Sequence, residues 1–444
     1  MTRQLRARLV GEGVPFITMS VAGRLLQIAA LLALAKRAAA ADFGLFAYAQ
    51  TAANLGLLIG LLTIPSILNV ELAHDRVRWR GMENTLSLLF CVIGTALALA
   101  VSGMTLWVGG TDPFGSDSGW LLFCVFIAVN TVQLVFQAVL FARGNHLLVA
   151  AGALVVGIVQ LTLILTIDLG SVARVLLVPT LAYAVGAILF AGCALRSGVN
   201  LRGAQVIKVL SRNRQRWTAL LLKYAGVTLL CGGVFQYAMW LIQKSLIAAG
   251  GPAENASYAV GLQFTNIVIF LPALVAPVLV REIRLAPAGR GQMRRVLALA
   301  AFAAVCCACG LAMFWLIRMP VLALFPNSYA LSVPVVMASV VAGVFAFIKA
   351  PFSIFFQTTL DARPDASGNI AAGLVTVVAI WAGSLGADAA GASMLRAAAW
   401  AVQLSVVGGF FIAAMWRGRQ SQACPAENAV GAGAIADPDI SHQP

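Results

Sequence analysis

Three basic residues, Arg24, Lys223 and Lys349, lie inside long apolar stretches of the sequence. An ionised side chain at the centre of a membrane helix costs about 2.5–3.5 kcal/mol on insertion scales, so each one needs a partner or a function. None of the acidic residues lies at the middle of such a stretch, where it would pair with Arg24. A cationic interior without counter-ions favours an anionic ligand, and the planar donor fork of arginine suits phosphate best. We therefore expect Arg24 to bind a phosphate group, with Lys349 and Lys223 as further candidates.

Another interpretation remains open for these three cations, since a buried basic side chain also bonds backbone carbonyl groups where a helix is broken. Lys244 and Arg396 lie near the predicted outer ends of their stretches. Snorkelling of the charged group to the interface explains these two residues equally well.

Amide side chains recur inside the same apolar stretches. They either hydrogen-bond one helix to another or face a wet cavity, where they would meet sugar hydroxyl groups. The residues at 130, 133 and 137 follow helical spacing and form one stripe. The amide candidates for such a cavity are Gln50, Asn54, Asn130, Gln133, Gln137, Gln236 and Asn266, with Gln243 and Gln263 considered beside them.

The composition shows what kind of element must position these residues. Of the 444 residues, 61% are apolar and 10% are charged, and the mean hydropathy is +0.92. Soluble domains have about 45–50% apolar and about 25% charged residues. This composition excludes a soluble enzyme and a disordered chain.

Twelve apolar stretches are long enough to cross a bilayer, which takes about 20 residues. Runs of this length satisfy their backbone in lipid as helices. The sequence thus predicts an all-α polytopic membrane protein with about twelve transmembrane helices. The predicted spans are 14–36, 43–72, 85–109, 119–142, 147–167, 172–195, 218–248, 256–280, 296–316, 331–359, 368–387 and 391–415.

The net charge of +14 is explained mainly by topology. With the N-terminus inside, the cytoplasmic segments hold 21 Lys and Arg residues and the opposite loops hold four. Such an asymmetry predicts that both termini face the cytoplasm. The excess of positive charge is therefore no indication of a nucleic-acid partner.

A basic segment divides the chain into two sets of six spans. The predicted organisation is an N-terminal six-helix bundle (1–195), a basic cytoplasmic linker (196–217), a C-terminal six-helix bundle (218–415) and a disordered cytoplasmic tail (416–444). Helix starts recur with an offset of 212 residues, and Asn54 and Asn266 are separated by the same offset. Two halves of this kind are related by an axis along the membrane normal, with a site near the midplane between them.

The eight cysteines predict no metal centre, cofactor or disulfide framework. Seven lie in apolar stretches without histidines at metal-binding spacing. Cys306, Cys307 and Cys309 form the densest group, and we interpret them as small helix residues.

Short motifs in the turns between spans are similar to those of bacterial polysaccharide flippases of the multidrug/oligosaccharidyl-lipid/polysaccharide (MOP) superfamily. The first motif has an alanine-rich turn, Asp42, and then a Phe-Gly-Leu-Phe run. The segments that carry the resemblance are Lys36–Gln50, Ala256–Gly261, Leu324–Ala330 and Gly386–Ala392. The Leu-Gly that often precedes the acidic turn is absent, and Gln243-Lys244 stands where relatives often have an acid.

The resemblance implies a V-shaped, twelve-helix transporter rather than an enzyme. Such a protein would flip an undecaprenyl-diphosphate-linked oligosaccharide across the bacterial cytoplasmic (inner) membrane, for surface polysaccharide, exopolysaccharide or O-antigen synthesis. Its partners would be this lipid-linked diphosphate, membrane lipid, a polysaccharide polymerase and glycosyltransferases, with no nucleic acid.

Other functions remain open at the level of sequence. A multidrug antiporter of the same superfamily would need mid-membrane carboxylates, and relatives that flip peptidoglycan precursors usually have fourteen helices. A membrane glycosyltransferase, polymerase or ligase, usually carries a sizeable outer loop, but the longest outer loops here, Gly110–Ser118 and Ile317–Ala330, are short. A passive scaffold would leave Arg24 unexplained.

Overall fold

The computed structural model describes residues 14–61, 87, 89–197, 214–285, 290–323, 331–358, 361–383 and 388–423. These residues form twelve α-helices and no β-strand, which confirms the predicted all-α fold. The predicted tail beyond residue 423 and most of the predicted linker lie outside the described residues. The helices are α1 (Val14–Arg37), α2 (Ala40–Gly60), α3 (Thr95–Gly109), α4 (Asp117–Ala142), α5 (His146–Thr166), α6 (Val172–Arg196), α7 (Arg214–Gly250), α8 (Pro252–Leu285), α9 (Arg290–Leu322), α10 (Val333–Thr358), α11 (Arg363–Trp381) and α12 (Ala389–Ala423).

The turns between helices are short and use residues suited to helix ends. Ser116 and Ser171 cap α4 and α6, because their hydroxyl oxygens accept hydrogen bonds from the backbone N–H groups of Gly119 and Arg174. A single residue, Gly251, joins α7 to α8 with φ +84°, a left-handed conformation that favours glycine. Pro252 then begins α8, where the proline ring already has a helical φ angle.

Within the described part of the chain, nine helices are long and apolar enough to cross a membrane. Large apolar side chains cover the outside of the bundle: Trp107 is 81% exposed and Trp381 is 85% exposed. Such exposure is unfavourable in water and favourable in lipid. The chain is a multi-pass membrane protein.

The two sets of six helices repeat one packing pattern. In the first set α1 packs on α5 and α4 packs on α6; in the second set α7 packs on α11 and α10 packs on α12. The helices α1 and α2 of the first set contact α8 of the second, and α2 also contacts α7. These contacts place the boundary between the halves along α2 and α8.

We call the contact of α2 with the end of α7 and the start of α8 the inter-half seam. There, a Cβ atom on Gly44 would lie 1.8 Å from the carbonyl oxygen of Pro252, so only glycine permits this approach of α2 to α8. The buried Asn255 side chain donates a 2.7 Å hydrogen bond from Nδ2 to the carbonyl oxygen of Gly44. Tyr48 stacks on Trp240 with 6.0 Å between ring centroids. The glycine of the Phe-Gly-Leu-Phe run therefore permits the close contact between the two halves.

Candidate functional site

A cavity of about 310 Å³ lies between the two halves. Helices α1, α2, α5 and α6 of the first half and α7, α8 and α12 of the second contribute to its wall. The volume is at the small end of the range for ligand pockets, about 300–1,000 Å³. The polar lining residues are Arg24, Gln27, Gln50, Thr51, Asn54, Gln160, Tyr183, Gln236, Gln243, Gln263, Asn266 and Arg396.

The charge of this wall is entirely positive. Arg24 and Arg396 line it, and no Asp or Glu is among the described residues that do. In a site surrounded by protein and lipid, a guanidinium group without a counter-ion attracts anions more strongly than it does in water. The expectation that Arg24 lacks a carboxylate partner thus agrees with its surroundings.

Arg24 is oriented by a neighbour on its own helix. Its Nη1 donates a 3.1 Å hydrogen bond to Oε1 of Gln27, one turn further along α1. Gln27 in turn donates from Nε2 to the carbonyl oxygen of Ala153 on α5, at 3.4 Å. The Arg24 side chain is exposed and lines the cavity near Tyr183, so its guanidinium group can meet a ligand there.

The structure places Arg396 on the same wall. From the sequence, snorkelling of its charged group to the interface explained this residue equally well. Its Nε atom is buried, and its guanidinium group lies beside the buried hydroxyl of Tyr258 on α8. Arg396 therefore brings positive charge to the cavity from a position that Tyr258 helps to fix. The internal repeat gave a weak indication of this placement. The residue 212 positions before Arg396 is Ala184, which follows the lining residue Tyr183.

Six of the amide residues considered from the sequence lie on the cavity wall: Gln50, Asn54, Gln236, Gln243, Gln263 and Asn266. The prediction missed other polar lining residues: Gln27, Thr51, Gln160 and Tyr183. One of these residues could have been predicted from the sequence. Gln160 is the only amide residue of α5, a helix with a mean hydropathy of 2.5, and it is 2% exposed.

The cavity also follows the internal repeat, which indicates that it lies on the axis relating the halves. Many lining residues have a second lining residue 212 positions later. These pairs are Arg24 and Gln236, Gln27 and Met239, Leu31 and Gln243, Ala47 and Ala259, Gln50 and Leu262, Thr51 and Gln263, and Asn54 and Asn266.

Lys349 lies away from the cavity, and the expectation that no carboxylate answers it is wrong. Asp365, in the first turn of α11, reaches within 3.7 Å of its Nζ. Lys349 also donates a 3.0 Å hydrogen bond to Oε1 of Gln403 and lies over the ring of Trp400. Ser353 completes the cluster by donating to Oδ1 of Asp365 at 2.6 Å. This placement favours a structural role, joining α10, α11 and α12.

The remaining candidates are not part of the described wall. The side chain of Lys223 lies outside the described residues. Asn130, Gln133 and Gln137 lie on α4 and are absent from the lining. Gln133 is buried between α4 and α6, where a Cβ atom added to Gly186 would lie 2.8 Å from its Oε1. For Gln133 the helix-to-helix contact is the better interpretation.

Lys244, the other cation near a predicted outer end, donates a 3.1 Å hydrogen bond to the carbonyl oxygen of Val108 at the end of α3. Among the described residues, no group of three or more His, Cys, Asp or Glu side chains could hold a metal ion. The arrangement can therefore bind an anion and neutral hydroxyl groups.

No family model matches the sequence, and no curated protein matches it either. Solved structures do share its fold. The lipid II flippase MurJ, in an inward closed conformation, aligns with a TM-score of 0.62 and 11% identity over 91% of this chain and 91% of the other. The Vibrio cholerae MATE transporter VcmN aligns with a TM-score of 0.61 and 17% identity over 94% and 98%. An outward-facing multidrug resistance MATE family transporter of the MOP superfamily has a TM-score of 0.58 and 16% identity over 94% and 95%. The fold of this chain is that of MOP-superfamily transporters.

Proposed function

We propose that this protein is a flippase that moves an undecaprenyl-diphosphate-linked oligosaccharide across the bacterial cytoplasmic membrane. The product would serve surface polysaccharide, exopolysaccharide or O-antigen synthesis, with a polymerase and glycosyltransferases as partners. The head group enters the cavity between the halves, and the prenyl tail stays in lipid. Rocking of the halves then exposes the cavity to the other side, with both chain termini in the cytoplasm.

The observation that carries this proposal is the charge of the cavity. Two arginines from opposite halves line it, and no carboxylate does within the described wall. A lipid diphosphate brings the complementary negative charge, and its oxygens accept hydrogen bonds from the guanidinium fork. The other polar groups of the wall are mostly amides, which both donate to and accept from sugar hydroxyl groups.

The cavity volume indicates which part of the substrate fits inside. A cavity of about 310 Å³ accommodates a diphosphate with the nearest sugar, so the more distant sugars would enter as the halves move apart. Gln50, Asn54, Gln236 and Asn266 would contact that sugar, while Arg24 holds the diphosphate.

The closest rival is a multidrug antiporter, because proteins of this fold include both multidrug transporters and a lipid flippase. Binding a cationic drug would require negative charge in the cavity, and the described wall has a positive one. Drug-efflux assays in a hypersensitive strain separate the two functions. The flippase proposal expects no change in resistance when the protein is expressed.

The test is an Arg24→Ala variant in a strain that depends on this protein for polysaccharide export. We expect loss of most export, since the diphosphate loses a charge-assisted pair, and normal amounts of protein in the membrane. Arg174→Ala is the matched control, because Arg174 forms an exposed ion pair with Asp168 in the α5–α6 turn. Full export by the Arg24→Ala variant would contradict the role of Arg24 in binding.

A separate experiment tests whether the protein is a glycosyltransferase. Purified protein incubated with lipid-linked repeat units is expected to form no polymer. Polymer formation would overturn the proposed function.

A further inference from the structure

We propose that Arg24 and Arg396 are two successive binding positions for the lipid diphosphate, at different depths in one cavity. The diphosphate would bind first at Arg24 and then move to Arg396 on its way to the outer side. The inference rests on the proposed function and adds an order of events within the same site.

Contacts at one end of the molecule provide a common level from which depth can be measured. Helix α1 ends and α2 begins there, and the first turn of α2 touches Pro252 at the start of α8. In the same turn of α8, Oε2 of Glu254 accepts a 2.9 Å hydrogen bond from the backbone N–H of Ala389, which begins α12. Gly251 joins the end of α7 to this level as well. In the predicted topology this is the outer end.

The two arginines lie at different distances from this level. Arg24 precedes the end of α1 at Arg37 by 13 residues, which is about 20 Å at about 1.5 Å per helical residue. Arg396 follows the start of α12 at Ala389 by seven residues, which is about 10 Å. Both line one cavity, and their backbone positions differ in depth by about 10 Å.

Three amide residues of the wall fall at the depth of Arg24 and one at the depth of Arg396, while Gln27, Gln50 and Gln263 fall between them. Asn54 and Asn266 each follow the start of their helix by 14 residues, and Gln236 precedes the end of α7 by 14, all about 20 Å deep. Gln243 precedes the end of α7 by seven residues, level with Arg396. The deep level therefore has one arginine among three amides, and the shallow level has one arginine beside Gln243.

This arrangement favours passage of one anion over its permanent capture. A single pair of arginines on one diphosphate would hold it tightly at one depth and oppose release. A second cation whose helix position lies about 10 Å nearer the outer side provides a second attractive position. Arg396 lines the cavity there, with its guanidinium group beside the Tyr258 hydroxyl.

The test separates binding from translocation. Binding is measured with undecaprenyl diphosphate and purified protein in detergent. Translocation is measured in proteoliposomes with a fluorescent lipid-linked diphosphate oligosaccharide, whose outward movement is followed by chemical quenching. The variants are Arg24→Gln and Arg396→Gln, with Arg174→Gln as the control and Arg24→Lys and Arg396→Lys as charge-preserving variants.

We expect Arg24→Gln to weaken binding at least tenfold and to slow translocation equally. Arg396→Gln should bind within twofold of the unaltered protein and translocate at least tenfold more slowly, while both Lys variants recover part of the loss. Equal loss of binding in both Gln variants would mean that one diphosphate is held by both arginines and would overturn the proposal. Normal translocation by Arg396→Gln would overturn it too. If the unaltered protein binds no undecaprenyl diphosphate, the proposed function itself fails.

Discussion

The ion pair of Lys349 and Asp365 shows how a single charge is tolerated inside this bundle. The two side chains are 14% and 26% exposed, and Gln403 and Ser353 satisfy further hydrogen-bonding groups. A charge with a close partner and hydrogen bonds needs no ligand. Arg24 donates to Gln27, has no carboxylate beside it on the described wall, and faces the cavity. At the scale of residues, the partner distinguishes a structural cation from a binding cation.

Breaking that pair from one side should destabilise the protein. Asp365→Asn leaves the lysine charge unpaired, and removing one partner of a buried pair costs about 3–5 kcal/mol. We expect a large fall in the thermal midpoint of the purified protein, and a partial recovery when Lys349→Met is added. The exposed pair of Arg174 and Asp168 is the control, because Asp168→Asn should change stability by less than about 1 kcal/mol. An unchanged midpoint in Asp365→Asn would contradict the structural role.

At the scale of elements, the close approach of α2 to α8 depends on one missing side chain. The contact brings the two halves together where Gly44 meets the backbone of Pro252. A rigid backbone oxygen cannot move aside as the end of a flexible side chain can, so any larger residue must push the helices apart.

Two glycine substitutions test this contact. Gly44→Ala should lower the thermal midpoint strongly, because the new Cβ would lie 1.8 Å from the Pro252 oxygen. Gly103→Ala on α3 is the matched control, since a Cβ there meets nothing within 4 Å. Alanine is favoured over glycine in a helix by about 1 kcal/mol, so this control should be neutral or slightly stabilising. Similar midpoints for the two variants would show that the seam does not require glycine.

At the scale of the whole molecule, the seam adjoins the cavity, whose wall includes Thr51 and Gln243. Tyr48 stacks on Trp240 there, and Gln243 donates a 2.8 Å hydrogen bond from Nε2 to Oγ1 of Thr51 across the halves. If the halves rock against each other during transport, these contacts must separate when the cavity opens at this end.

A cross-link across the seam should therefore stop transport. In a background without native cysteines, Thr51→Cys with Gln243→Cys would be joined by a short reducible thiol reagent. We expect translocation in proteoliposomes to stop after cross-linking and to return after reduction. Each single-cysteine variant, treated in the same way, should keep its own untreated rate. Continued translocation by the cross-linked protein would contradict opening at this end.

Much of the fold could be predicted from the sequence because it depends on local and additive properties. The length and apolarity of a stretch predict a membrane helix wherever the stretch lies, and the twelve predicted spans correspond to the twelve described helices. The position of Arg24 in the middle of an apolar stretch could likewise be predicted, because the sequence alone shows that this stretch contains no acidic residue beside it.

The wall of the cavity was decided only by the tertiary structure. Which face of a helix meets the cavity depends on its rotation and packing against neighbours, and apolar stretches of similar composition do not encode this locally. Packing placed Gln133 between α4 and α6, brought Arg396 to the cavity and supplied Lys349 with Asp365 from another helix. The sequence by itself determined that the chain crosses the membrane as helices with cations inside. Only the contacts between distant helices decided which of those cations are free to bind a ligand.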